Sequence, residues 1–201
     1  MILNHEDIKR LYEAGSIFID PYYEGRVGPN SYDFRLGNYF YMLKYDDTEP
    51  VYVGPVYIPD DEYLFLPSGQ TILAITREII GARANIVCQI HARSSVRRMG
   101  ISICDDAGLG DIGYIDHWTL ELTANVSPYG VVKTGQRIGQ MLFNQAGFGV
   151  NEEWKYDGQY KRTWPENMIP KNCRVVEPKS YTYRKEIFME EVSRPGQEQL
   201  A

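Results

Sequence analysis

Short β-branched runs bounded by glycine, proline or asparagine constrain this chain more than any other feature. Residues 71–76 read TILAIT, residues 85–90 NIVCQI and residues 138–143 IGQMLF. Residues 118–126, WTLELTANV, alternate with period two, the spacing of a strand with one buried face. Residues 31–43 are aromatic-rich and broken by Gly37, which predicts strands with a kink or a close backbone approach there. Residues 44–70 mix Asp, Pro, Gly and Tyr, which suits short strands joined by turns. The helical stripe is N-terminal: Ile8, Leu11 and Tyr12 share a face, Asn4 can cap, Glu6 and Asp7 sit in the first turn, and Gly15 stops it. These patterns predict an all-β fold, a barrel or a sandwich, with one short N-terminal helix.

At 201 residues the chain predicts one domain with a long tail. From about Gly147 the sequence turns polar and aromatic, with Pro165, Pro170 and Pro178, as a segment that wraps over something would. A net charge of −6 argues against a protein that coats a nucleic acid polymer, which needs a basic face. It leaves room for a small phosphorylated ligand, which needs only a few local cations. No apolar run approaches the ~20 residues of a membrane span, and the N-terminus lacks the order of a signal peptide. Cys88, Cys104 and Cys173 are odd in number and widely spaced, which fits reduced thiols in a cytoplasmic protein.

Several chemistries lack their motifs. There is no phosphate loop and no Gly-x-Ser-x-Gly elbow. A zinc-dependent nucleobase deaminase would need a Cys-x-x-Cys pair and a His two positions before a Glu, and neither occurs. Two segments stand out instead. Residues 92–100, ARSSVRRMG, place Arg93, Ser94, Ser95, Arg97 and Arg98 directly after a predicted strand. Such donors can hold a polyanion, or they can form a solvated basic turn. Residues 105–125 carry Gly108, Gly110 and Gly113, which let backbone approach a ligand, together with Asp106, Asp111 and Tyr114. In the strand that follows, Leu120 and Leu122 share one face while Thr119, Glu121 and Thr123 share the other. That second face either meets solvent or lines a pocket. In a pocket, partial burial would raise the Glu121 pKa toward that of a general base.

Taken together, these segments resemble the dCTP deaminase and dUTPase superfamily, and within it the dCTP deaminase branch. The opening 2–21, the element SYDFRLG (31–37), ARSSVRRMG (92–100) and AGLGDIGY followed by TLEL (107–122) match in order. A weaker match is YDGQYKRT (156–163), like the tail that closes over a triphosphate. The resemblance covers residues 1–165 and leaves residues 166–201 as an extension of unassigned role. It implies a distorted β-barrel of the dUTPase-like, β-clip type, assembled as a homotrimer with sites at subunit junctions.

What the resemblance implies for chemistry is zinc-free deamination of a deoxycytidine nucleotide. Glu121 would be the general base, Ser94 would position the attacking water and Arg98 would bias the charge beside the base. Arg93 and Ser95 would hold phosphates, with Mg²⁺ bridging the triphosphate oxygens and no dedicated metal ligands on the protein. Ala107 would read the pyrimidine edge through its main chain, Asp111 would face the 3′-hydroxyl or an ordered water, and Tyr114 would pack on the sugar. Tyr156, Tyr160 and Lys161 would belong to the closing tail. Four positions depart from the family pattern: Asp106, Asp116, Gln159 and Thr163. The leading expectation is therefore dCTP and water giving dUTP and ammonia. Alternatives are dUTP hydrolysis or both reactions in succession, ending at dUMP, and a catalytically silent trimer that binds a nucleotide or a partner.

Overall fold

The computed structural model describes residues 1–147, 155–158, 160, 166–171 and 173–176. It opens with helix α1 (His5–Glu13), where Asn4 Oδ1 accepts from the Asp7 amide at 2.9 Å and Ile8 is buried. Gly15 ends the turn with φ +72, a conformation L side chains avoid. The strands that follow are β1 (Ile17–Asp20), β2 (Tyr32–Asp46), β3 (Glu49–Tyr57), β4 (Tyr63–Pro67), β5 (Thr71–Ala82) and β6 (Ile86–Ala92). A five-residue helix α2 (Ser94–Arg98) precedes β7 (Ile101–Ser102), β8 (Leu109–Gly110), β9 (Ile115–Ala124), β10 (Tyr129–Lys133) and β11 (Arg137–Gln145). Strand β12 (Arg174–Val176) lies far along the tail.

The fold is mostly β, as the runs predict. One ten-stranded sheet follows the hydrogen-bonded order β7-β9-β5-β2-β11-β6-β8, with β1 on β5 and β3 on β2, and β4 pairs β10 separately. The sheet curls around a core of Phe34, Leu36 and Phe40 from β2, Ile72 and Ile80 from β5, Leu120 and Leu122 from β9, and Phe143 from β11. The expected barrel is a half-barrel: β7 and β8 end the path without pairing to each other. Gly37 fulfils the expected close approach, since a Cβ there would meet Ile75 Cγ1 at 2.6 Å.

Two features of this frame position the site. A bulge in β5 between Ile75 and Ile79 interrupts its pairing with β9. Inside it, the Thr76 hydroxyl accepts from the Trp118 amide at 2.9 Å, and the Glu78 carboxylate turns into the protein. Glu78 is wholly buried and accepts from Arg26 Nη1 at 2.7 Å, Arg35 Nε at 2.7 Å and the Arg35 amide at 2.8 Å. The second feature is the tail. Met168 and Ile169 bury themselves against Tyr41, Tyr52, Leu73 and Ile75, and β12 pairs in parallel with β3. The described part of residues 166–201 therefore lies on the body of the domain.

Candidate active site

Strand β9 places Glu121 where the period-two reading allows. Trp118, Leu120, Leu122 and Ala124 are buried on one face, and Thr119, Glu121 and Thr123 are partly buried on the other. Of the two readings of that second face, the structure takes the pocket. Thr119 and Glu121 line a cavity of ≈ 660 Å³, a size that accommodates a small-molecule ligand. Leu43, Tyr52, Thr71 and Leu73 form its floor from β2, β3 and β5. Asp106, Ala107, Leu109, Gly110, Asp111 and Tyr114 come from the segment ahead of β9. Tyr156, Gly158, Tyr160, Asn167, Met168 and Pro170 reach it from the tail.

The walls are aromatic and acidic. Tyr114 meets both Trp118 and Tyr156 edge-to-face with ring centroids 5.1 Å apart. Burial pushes its hydroxyl pKa up, and its oxygen donates to the His117 carbonyl at 3.3 Å. The Tyr156 hydroxyl accepts from the Tyr160 amide at 3.1 Å, so the two tail tyrosines brace each other. Asp106, Asp111 and Glu121 supply carboxylates, and the described lining residues include no Lys, Arg or His.

Burial raises the Glu121 carboxyl pKa above its ordinary value, which holds a proton more readily than a solvated glutamate does. One contact opposes that rise: the Cys104 thiol donates to Glu121 Oε2 at 2.6 Å. Pairing of β7 with the far end of β9 brings Cys104, two residues past β7, alongside Glu121. Burial and the facing carboxylate push the thiol itself up, so it stays a protonated donor. Cys104→Ala removes a donor that favours the ionised acid. The midpoint of the Glu121 carboxyl carbon, followed by NMR, is expected to move to higher pH in that variant and to return toward wild type in Cys104→Ser. An unmoved midpoint in Cys104→Ala would show that the thiol does not tune the acid.

The serine–arginine segment lies elsewhere. Val96 anchors α2 in the core, while Ser94, Ser95, Arg97 and Arg98 are exposed, and none of them lines the cavity. Arg93 Nε approaches Asp33 Oδ2 at 3.5 Å, beside Arg137 Nη1 at 3.3 Å from the same oxygen. Thus one chain brings Glu121, Ala107, Asp111, Tyr114, Tyr156 and Tyr160 together, and holds Arg93, Ser94, Ser95 and Arg98 apart from them. Lys161, with Gln159 and Thr163, lies outside the described residues.

Two glycines of this region are required by packing. A Cβ on Gly108 would lie 2.8 Å from the Ile90 carbonyl oxygen, and one on Gly110 would lie 2.0 Å from the Trp118 ring. Both make room for their own chain, and Gly110 also lines the cavity.

Residues 2–146 match the family model described as dCTP deaminase-like. The chain belongs to the dCTP deaminase-like family. Membership makes it an enzyme of the nucleotide-hydrolase class. A relative named dCTP deaminase, dUMP-forming, from Methanopyrus kandleri is 33% identical over 197 residues, covering 86% of this chain and 98% of its own. Another of the same name, from Cytophaga hutchinsonii, is 39% identical over 167 residues, covering 80% and 91%. The crystal structure of 2′-deoxycytidine 5′-triphosphate deaminase from Agrobacterium tumefaciens shares the fold at a TM-score of 0.57 and 20% identity. It aligns over 76% of this chain and half (50%) of that longer one.

Within this dCTP deaminase-like chain, two cavity-lining residues carry no motif signal, Tyr52 and Asn167. Each reaches the cavity only through strand pairing or the return of the tail.

Proposed function

We propose that the chain deaminates dCTP and carries the product on to dUMP, with Glu121 as general base. The observation that carries this reading is a partly buried glutamate in a nucleoside-sized aromatic cavity, on the strand that bears the family's Thr-Leu-Glu-Leu element. The two relatives named dCTP deaminase, dUMP-forming, favour the two-step outcome over the simple dUTP product. Among the described residues no helix is long and apolar enough to cross a membrane.

In the first step Glu121 takes a proton from water, and the resulting hydroxide oxygen bonds to the ring carbon that bears the amino group. Glu121 delivers that proton to the adjacent ring nitrogen, takes the second proton from the new hydroxyl and passes it to the exocyclic nitrogen; the carbon–nitrogen bond breaks, the ring carbonyl forms, and ammonia leaves behind dUTP. In the second step water attacks the α-phosphorus, oriented by Asp111, and pyrophosphate departs to leave dUMP. The cavity is acidic and lacks basic side chains among its described lining, whereas a triphosphate carries several negative charges. Ser95 for the phosphates, and Ser94 and Arg98 for the water and the acid, are exposed on α2 outside the cavity of the same chain, and half-buried Arg93 precedes that helix, paired with Asp33. A homotrimer in which one subunit's α2 faces its neighbour's cavity reconciles the two halves. Mg²⁺ held by the triphosphate oxygens would offset their charge. Ala107, Tyr114, Tyr156 and Tyr160 enclose base and sugar.

Parallel detection of ammonia and pyrophosphate tests the reading. With dCTP and Mg²⁺ both products are expected in equal amounts, and dUTP is expected to yield pyrophosphate. Ammonia alone would reduce the activity to deamination, and neither product would overturn the proposal. Tyr114→Ala removes the ring packed against the sugar. Its kcat/KM ratio for dCTP over CTP is expected to fall roughly tenfold, the cost of one lost packing and exclusion contact. An unchanged ratio would remove Tyr114 from sugar selection.

A further inference from the structure

Asp116 departs from the family pattern, and the structure gives it a partner. The Asn167 side-chain amide donates from Nδ2 to Asp116 Oδ2 at 2.9 Å. A carboxylate accepts only, so this contact fixes which end of the Asn167 amide is nitrogen and leaves its oxygen pointing the other way. Asp116 is held in turn, since its Oδ1 accepts from the His117 amide at 2.7 Å. Asn167 is 3% exposed and lines the cavity, yet its Oδ1 has no hydrogen-bond partner. A buried acceptor without a donor is costly, and native proteins rarely keep one without a use for it.

We infer that Asn167 Oδ1 accepts a hydrogen bond from a neutral donor on the nucleoside half of the substrate. The inference rests on the nucleotide reading above. A deoxycytidine nucleotide offers two such donors, the exocyclic amino group and the sugar 3′-hydroxyl. The oxygen is closed to water in the free chain, so the donor meets it as the wall that Asn167 and Met168 form yields to the occupant. Asp116 acts through Asn167 as a positioning residue. If the donor is the amino group, the bond exists with dCTP and is lost once deamination replaces that group by a carbonyl oxygen, which favours passage of the intermediate onward.

The position makes a direct test available. Asp116→Asn lets residue 116 donate, so the Asn167 amide turns over and presents its nitrogen to the cavity. Asn167→Leu removes the acceptor with little change in volume. Both are made in the full chain carrying Glu121→Gln, and dissociation constants are measured by calorimetry with Mg²⁺. The ligands are α,β-imido analogues of dCTP, dUTP and 2′,3′-dideoxycytidine triphosphate, in which the α–β link resists cleavage. Both variants are expected to weaken the dCTP analogue roughly tenfold, the scale of one buried hydrogen bond left unmade. If the amino group is the donor, the dideoxycytidine analogue weakens equally and the dUTP analogue does not. If the 3′-hydroxyl is the donor, the dUTP analogue weakens and the dideoxycytidine analogue does not. Equal loss on all three, or no loss on any, overturns the inference while leaving the nucleotide reading intact. Failure of the parent protein to bind any of the three overturns that reading and the inference with it.

Discussion

Glu121→Gln is expected to suppress ammonia release from dCTP by roughly 10²–10⁴-fold, the range for losing a positioned proton-transfer group, while nucleotide binding persists. Glutamine matches glutamate in shape and can still pair with Cys104, but it cannot take a proton from water. Retained turnover would remove Glu121 from the mechanism. The same substitution has a stability signature. Burial raises the folded-state pKa of Glu121 above its unfolded value. The stability that goes with the neutral form is complete below the unfolded pKa and is lost as pH rises through the folded one. As pH rises, ionisation of Glu121 places a poorly solvated carboxylate in the wild-type protein that the amide variant does not carry. The variant's Tm is expected to exceed wild type at pH 7, and the gap is expected to close toward about pH 4, near the ordinary glutamate value. A gap independent of pH would contradict the burial of the charged acid.

The largest loss of stability is expected at Glu78. Replacing it with alanine leaves Arg26 and Arg35 facing each other without the fully buried carboxylate between them. Breaking one partner out of a buried ionic cluster costs about 3–5 kcal/mol. For a domain of this size that lowers Tm by roughly 6–20 °C. Glu78→Gln keeps the shape and an acceptor oxygen and is expected to lie between alanine and wild type. A thermal melt of Glu78→Ala within ~2 °C of wild type would show that the cluster does not hold the β5 bulge in place. Because Thr76 in that bulge receives the Trp118 amide, slackening there reaches the cavity wall as well.

Much of this frame is legible in the sequence because strands write a two-residue period. TILAIT, NIVCQI, WTLELTANV and IGQMLF all fall within β5, β6, β9 and β11 or at their edges. Alternation also divides β9 correctly between Leu120 and Glu121. Helix α2 is not legible, because five residues are too few to display a helical period. The curl that stops short of a closed barrel depends on which strands pair at the ends, and local pattern carries no such information. Cys104 and Asn167 are invisible for a related reason. Each meets its carboxylate partner through chain topology, and neither stands in a run or motif. Asp116 shows as a departure from the family pattern, but its meaning needs a partner fifty-one positions later in the chain.

The parallel pairing of β12 with β3 changes the thermodynamics of enclosure. Tyr156 and Tyr160 are followed by attachments to the body at Met168 and Ile169 and at Arg174–Val176, so they belong to a segment tethered beyond them as well as before. Cyclising a segment in this way removes conformations it would otherwise sample when open. Under the proposed function, less entropy is then forfeited when Tyr156 and Tyr160 pack against a bound nucleotide.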